Sequence, residues 1–493
     1  MPWGVQAQGP AGGANLPHLG DGAEMTPAAE RLLGDRVARA LYRDPDYLDD
    51  PILRDYLQTI WDRLMDAARR RGELPIELDQ AYAWQILMGK DRSINAFALP
   101  GAYFGVHLGL VAAVSSRDEL AAVMAHELSH VTQRHIARLI ARQGAQAPWL
   151  LAAMILGAMA ASSSPQGATA VIAGGQAVAA QTQLNFSRDM EREADRVGFG
   201  ILAEAGYAPQ GFVSMFEKLQ QSTRLTDSGN FPYLRSHPLS SERIADAQGR
   251  VGTGVSAAMD TDGEALVMGV RAKVLSDTSV DALRGWQAAV EDNAGMARRS
   301  PAQQAAQWYG ACLSALKARE IAQARSAWRQ LQVLVQDASP AMQRQASLLG
   351  VELALADSGS AGARAALDIL VPLQKDPSRA VRLLTAQAQV AAGQSPLAAQ
   401  ALQVWLADHP GDALAWAQLA QANHAQQRPV AAIRAEAEAQ VAQLDYSGAV
   451  QRLKAAQDLA RQRQRPDEHF DASIVDTRIR QLEQLLREQT LER

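Results

Sequence analysis

The chain has 493 residues, of which 47% are hydrophobic and 20% charged, and its net charge is −5. At about 100–200 residues per domain this length is two to four domains; the apolar fraction and charge density are those of a globular protein and exclude wholesale disorder, and the lack of a basic surplus speaks against nucleic-acid binding. The single cysteine, Cys312, rules out an internal disulfide, a zinc ribbon or an iron–sulfur site, so any metal centre must draw on carboxylates and the nine histidines.

Residues 1–26 read as irregular. They lack a charged start and an apolar run, yet Val5-Gln6-Ala7 fits the end of an export signal. Two readings stand: a plain irregular start, or the remnant of a truncated signal peptide. From Pro27 the apolar spacing becomes helical, through Leu32, Leu33, Val37 and Leu41, and a second helix is expected over Ile52–Arg71. Short apolar alternations at Ile76–Leu78, Tyr82–Met88, Ile94–Leu99 and Tyr103–Val111 predict three or four strands of a small sheet. Ser116-Arg117-Asp118-Glu119 has capping-box spacing and opens a long helix expected to reach about Arg142.

Two apolar runs follow, Trp149–Ala161 and Ala168–Ala180, split by Ser162-Ser163-Ser164-Pro165. Each falls short of the ~20 residues of a membrane span. They predict a helical hairpin that packs on protein or touches a membrane surface. Ser187 then caps a helix expected to stop near Ala205, before Gly206 and Pro209, and residues 251–265 read as a linker.

Beyond residue 265 the sequence is rich in Ala, Gln, Leu and Arg, with tetratricopeptide spacing. Counting from Arg379, Ala386, Ala398 and Pro410 fall at repeat positions 8, 20 and 32. Counting from Ala413, which lies 34 residues on, Trp416, Leu419, Ala420, Ala432 and Ala439 take positions 4, 7, 8, 20 and 27. Weaker matches start at Ala305, with Trp308, Ala324 and Trp328, and at Ala346, with Ala365 and Pro377.

His126-Glu127-Leu128-Ser129-His130 is the chemical core. Residues i and i+4 of a helix lie about 40° apart, so both imidazoles can bind one Zn²⁺, with Glu127 beside them as base for a metal-bound water. A catalytic zinc needs a third protein ligand. His135 lies about 180° further round a continuous helix, so it is expected to point away, as a structural or solvent-facing residue. Glu191, in Ser187-Arg188-Asp189-Met190-Glu191-Arg192-Glu193-Ala194-Asp195, is the better candidate. Asp195, at i+4 from it, can hold a ligand histidine by its other nitrogen. Glu193 should not reach. His237-Pro238, with Arg243 six residues on, is a third element. His237 could fill the open metal position, or His237 and Arg243 could stabilise an oxyanion; a plain loop histidine before a helix is the alternative.

HExxH, then ExxxD, then HPxxxxR resembles the HtpX and CAAX-prenyl-protease group of zinc metallopeptidases. Asn95-Ala96-Phe97-Ala98, the stretch Met124–His135 and Glu193–Gly198 are closest to its soluble periplasmic branch with C-terminal tetratricopeptide repeats. The resemblance implies one Zn²⁺ on His126, His130 and Glu191, Glu127 as general base, and His237 as a regulatory fourth ligand. It further implies a periplasmic quality-control protease and chaperone for stalled or unfolded outer-membrane proteins, docked on the barrel-assembly machinery through its repeats. No transmembrane span is expected.

The expected fold is therefore α+β and mostly helical. A zincin-type (gluzincin) domain with a small sheet covers 27–250, and an all-α repeat solenoid covers 266–493. Substrate would add as a strand along Asn95, Ala96 and Phe97. The rival reading is a non-proteolytic repeat scaffold or chaperone whose zinc is closed and structural.

Overall fold

A computed structural model describes residues 25–143, 188–225, 233–234, 237–251, 263–357, 359–463 and 469–491. The expected hairpin at 149–180, the Ser187 cap, most of the 251–265 linker and most of residues 1–26 lie outside these.

The N-terminal helices start where their caps dictate. Thr26 accepts from Ala29 N ahead of α1 (Pro27–Tyr42), and Asp50 accepts from Leu53 N ahead of α2 (Pro51–Arg70). Each has proline in its first turn, where no N–H is needed. The stripe Ile52, Leu53, Tyr56, Leu57, Ile60, Trp61 and Leu64 buries one side of α2, with Trp61 stacked on Phe104 at 4.9 Å.

The sheet has four strands in the order β1-β2-β4-β3: β1 (Tyr47–Leu48), β2 (Gln85–Gly89), β3 (Ala96–Leu99) and β4 (Tyr103–His107). β2 and β4 are parallel, and β3 pairs antiparallel with β4 and forms an edge. Two expected strands need correction, and one strand was not expected. Ile76–Leu78 is not a strand; α3 (Ile76–Ala81) starts there, behind Pro75 and with Glu77 and Asp79 in its first turn. The strand expected over Tyr103–Val111 ends at His107, and α4 (Leu108–Ala113) begins at once. The strand at Tyr47–Leu48 is too short to show a periodicity.

The long helix expected from Ser116 is also two helices. α5 (Arg117–Thr132) ends at Gln133, Arg134 turns into the left-handed region at φ 52, and α6 (His135–Gln143) starts afresh. α7 (Arg188–Glu204), α8 (Gln210–Leu225) and α9 (Ser241–Val251) complete the peptidase-side layer. α5 is buried along its whole length from Asp118 to Thr132, because α2, α7, α8 and β3 all pack on it.

From α10 (Gly263–Ser276) onward every described element is helical. Paired helices stack one on the next as a helical solenoid. Arg379–Ala391 and Ala413–Ala425 start 34 residues apart, as do their partners Ser395–Asp408 and Pro429–Ala442. Ala386, Ala398, Ala420 and Ala432 are buried, letting helices approach closely. The register read from Ala346 is off by one: Ala365 is exposed, and Ala363 and Ala366 take the buried face. That pair belongs to a longer step, since Pro301–Lys317, Pro340–Ala356 and Arg379–Ala391 begin 39 residues apart.

One apolar core runs without a break from Ile52 in α2 to Ala388 in the solenoid. Three arginines join the two parts. Arg271 holds Asp50 at 2.6 Å and Glu352 at 2.7 Å. Arg344 lies 3.2 Å from Asp55 and 2.6 Å from Asp376. Arg379 lies 2.7 Å from Asp49 and 2.8 Å from Asp412. The far end of the solenoid returns to α1, where Arg39 donates to the Leu444 carbonyl at 2.7 Å. Among the described residues, no helix is long and apolar enough to cross a membrane.

Candidate metal centre

α5 carries HExxH, and its start is fixed by Ser116 Oγ accepting from Glu119 N at 3.2 Å. The Glu119 side chain accepts from Ser115 N at 2.6 Å, one residue beyond the capping box expected. α7 crosses α5 at Gly198, where a Cβ would come within 3.0 Å of the Ala125 carbonyl. That close approach sets Glu191 and Asp195 opposite the two histidines.

His126, His130, Glu191 and His237 are all buried, and one ligand atom from each lies within 4.8 Å of every other. His126 Nε2 is 3.0 Å from His130 Nε2, 3.5 Å from Glu191 Oε2 and 3.4 Å from His237 Nδ1. Glu191 Oε1 is 3.5 Å from His130 Nε2 and 3.1 Å from His237 Nδ1. Ligands about 2.0–2.1 Å from a tetrahedral ion are about 3.3 Å apart, so these separations are the edges of such a cage. Three imidazoles and one carboxylate suit a zinc-like divalent cation.

The electrostatics agree. Burial disfavours charge on His126, but Asp195 and Glu191 outweigh it and hold the imidazole up at about 9. Burial and the neighbouring His126 push His130 well down. Although burial opposes it, His237 and His126 hold the Glu191 carboxyl well below the usual carboxylate range. The pocket therefore demands positive charge, and a divalent cation can supply it in place of a proton.

Each HExxH histidine is gripped from behind. Asp195 Oδ1 is 2.9 Å from His126 Nδ1. His130 Nδ1 meets His135 Nδ1 at 2.9 Å, and His135 Nε2 meets Glu193 Oε2 at 3.1 Å. His135 is fully buried and bonded to His130, so of the two expected roles it has the structural one, and it does not point away from the site. The break at Arg134 swings it back beneath His130. Glu193 does not reach the metal cage, as expected, but it does reach this second imidazole. Sequence reasoning missed the pair because Gln133-Arg134 carries no glycine to announce the left-handed turn. Burial pushes His135 down to about 4, although Glu193 opposes it.

His237 is stacked on Tyr233 at 4.7 Å and donates its backbone N–H to the Tyr233 carbonyl at 2.8 Å. Its Nδ1 faces the cage and its Nε2 lies 3.4 Å from Glu127 Oε1. Arg243 forms two bonds to Asp195, at 2.6 and 2.8 Å, and its Nη1 lies 2.8 Å from Glu191 Oε2 and 2.9 Å from the Pro238 carbonyl. Its guanidinium thus sits behind the carboxylates that face the cage. Burial pushes the Glu127 carboxyl up, while Ala98 N on β3 donates to its Oε2 at 3.0 Å. Further along β3, Phe97 lies across Gly105, where a Cβ would meet the ring at 2.2 Å, and the Asn95 carbonyl accepts from His107 N.

The chain is similar in sequence to known proteins. Residues 51–251 fit the family model described as peptidase family M48. The segment is an M48 peptidase domain. The chain is 30% identical over 317 residues to a protein of Escherichia coli named beta-barrel assembly-enhancing protease, a match covering 63% of this chain and 61% of that one. The protein of that name from Yersinia pestis is 32% identical over 237 residues, 48% of this chain and 47% of the relative. Mitochondrial metalloendopeptidase OMA1 of Arabidopsis thaliana is 30% identical over 165 residues, 33% of this chain and 31% of the relative. The chain thus spans between 47% and 61% of the length of the bacterial relatives it matches. The M48 domain contains the HExxH helix, the α7 carboxylates, His237 and Arg243.

Proposed function

We propose that the chain is a zinc-dependent endopeptidase that cuts unfolded or stalled outer-membrane β-barrel proteins in the periplasm. The observation that carries this is the buried cage of His126, His130, Glu191 and His237, with Glu127 beside it and tied to an edge strand. The substrate class follows from the names of the bacterial relatives.

His126, His130 and Glu191 would hold the ion. Bound there, zinc supplies Lewis acidity, which lowers the pKa of water and polarises the scissile carbonyl. Glu127 takes the proton from the attacking water and returns it to the leaving amine. Asp195 and the His135–Glu193 pair keep the two imidazoles turned inward. Arg243 acts as a positioning residue for Asp195 and Glu191 rather than as an oxyanion donor. The outer edge of β3, at Ala96 and beside the Ala98 N–H that Glu127 holds, accepts an extended substrate by strand addition, which suits clients that expose unpaired strands. His237 would be a further ligand and would keep the site closed until substrate moves it aside. The solenoid docks on the barrel-assembly machinery, while the apolar runs at 149–180 are a second candidate contact with clients or a membrane surface.

The occupied fourth position also favours a second reading, a scaffold or chaperone with a closed structural zinc. A purified zinc-loaded chain incubated with an unfolded outer-membrane barrel separates the two. Cleavage that a chelator abolishes and zinc restores supports the peptidase; zinc binding without turnover supports the scaffold.

A further inference from the structure

We propose that His135 and Glu193 are positioning residues that fix the tautomer of His130, and so set how tightly the cage binds its metal. The inference rests on the metal-site reading above and deepens it.

The argument is one of donors and acceptors. Glu193 Oε2 already takes a bond from Arg138 Nη1 at 2.8 Å, so it is an ionised acceptor. An ionised carboxylate accepts only, so the 3.1 Å contact from His135 Nε2 places the ring proton on that nitrogen. With its ring proton on Nε2 toward Glu193, His135 presents the lone pair of Nδ1 to His130. That lone pair can accept at 2.9 Å only from a proton on His130 Nδ1. His130 then has its remaining lone pair on Nε2, the atom that faces His126 and Glu191. The chain Arg138–Glu193–His135–His130 therefore transmits one proton arrangement from the surface to the cage. His126 needs no relay, because Asp195 reaches it directly. α7 thus supplies one metal ligand and the orienting carboxylate of both histidines.

The test is zinc affinity of the full chain, read by competition with a chromogenic chelator. His135→Phe fills the ring's volume but cannot accept a hydrogen bond, and a loss of about 10- to 100-fold in affinity is expected. His135→Asn leaves a small void but keeps an acceptor near the Nδ1 position, so it should recover most of that loss. A merely space-filling role predicts the opposite order. Glu193→Ala should weaken zinc binding about 10-fold. Glu193 is 28% exposed, so this variant decides the matter even where His135→Phe does not fold. Glu204→Ala, on the same helix but paired with Arg70, should bind zinc as the parent does. Parent-like affinity in His135→Phe or Glu193→Ala, or an asparagine variant weaker than the phenylalanine one, overturns the proposal. A parent chain that binds no zinc overturns the metal-site reading itself.

Discussion

The backbone N–H of Ala98 donates to Oε2 of Glu127 at 3.0 Å, so an edge strand and a buried carboxylate share one hydrogen bond. In an antiparallel pair the outward-facing residues alternate, so Ala96 presents its backbone on the side that Ala98 does. A substrate strand laid on β3 is thereby placed in register with the base. Replacing Glu127 by Gln keeps an acceptor for Ala98 but removes the base. Zinc content should be unchanged, while cleavage of an unfolded barrel protein falls about 10²–10⁴-fold. Zinc analysis beside a gel-based cleavage assay checks both halves, and retained proteolysis would sink the role of Glu127.

His237→Ala should raise the rate of client cleavage several-fold, because it opens the fourth vertex of the cage. Zinc should stay bound by the three remaining ligands. A rate at or below that of the parent would make His237 a catalytic or structural group instead.

Arg243 contacts Asp195, Glu191 and the Pro238 carbonyl at once. Lysine cannot reproduce that fork. Arg243→Lys should weaken zinc binding about tenfold, by loosening Asp195 and Glu191. If it lost turnover with zinc affinity intact, Arg243 would be an oxyanion donor after all.

Removing zinc should also lower stability, since a ligand bound only by the folded state stabilises by mass action. A chelator should lower the thermal midpoint of the parent and leave a chain lacking both His126 and His130 unmoved. Equal midpoints with and without chelator in the parent would contradict the cage as a metal site.

Arg271 joins Asp50 to Glu352 in full burial. Removing one partner of a buried network costs about 3–5 kcal/mol, so Arg271→Met should show that loss in denaturant unfolding. The network also has an acid limit. Burial pushes the Asp50 carboxyl up, but Arg271 more than offsets this and holds it below the usual range. A group with a depressed folded pKa stabilises fully above its unfolded pKa, about 4, and the stability is lost as pH falls through the folded value. The parent should lose stability below about pH 4 faster than Arg271→Met does. Parallel pH profiles would show that the pair is electrostatically silent.

Much of this arrangement was legible from spacing. His126 and His130 declare themselves because i and i+4 share a helix face, and Glu191 and Asp195 do so by the same rule on α7. The repeats at Arg379 and Ala413 were legible because small residues recur at a fixed step. What stayed hidden depends on single backbone turns. Arg134 adopts a left-handed conformation without being glycine, and that one angle converts His135 from a residue on the far face into the partner of His130. Ile76–Leu78 alternates like a strand, yet Pro75 and the acidic first turn make it a helix. Arg243 was visible as a residue near the site, but its direction was not, because direction is set by contacts from α7 and α8 that no local pattern encodes.

Each of the three bridging arginines comes from the solenoid and grips one acid of its own side and one aspartate at or near the start of α2. Separation would leave the solenoid with its charges still matched, but would strip the start of α2 and the turn before it of all three counterions. Asp49, Asp50 and Asp55 would then crowd together on one bare surface. The peptidase half is therefore no portable cassette: a repeat array grafted in from a relative would have to bring its own arginine to each of those three places.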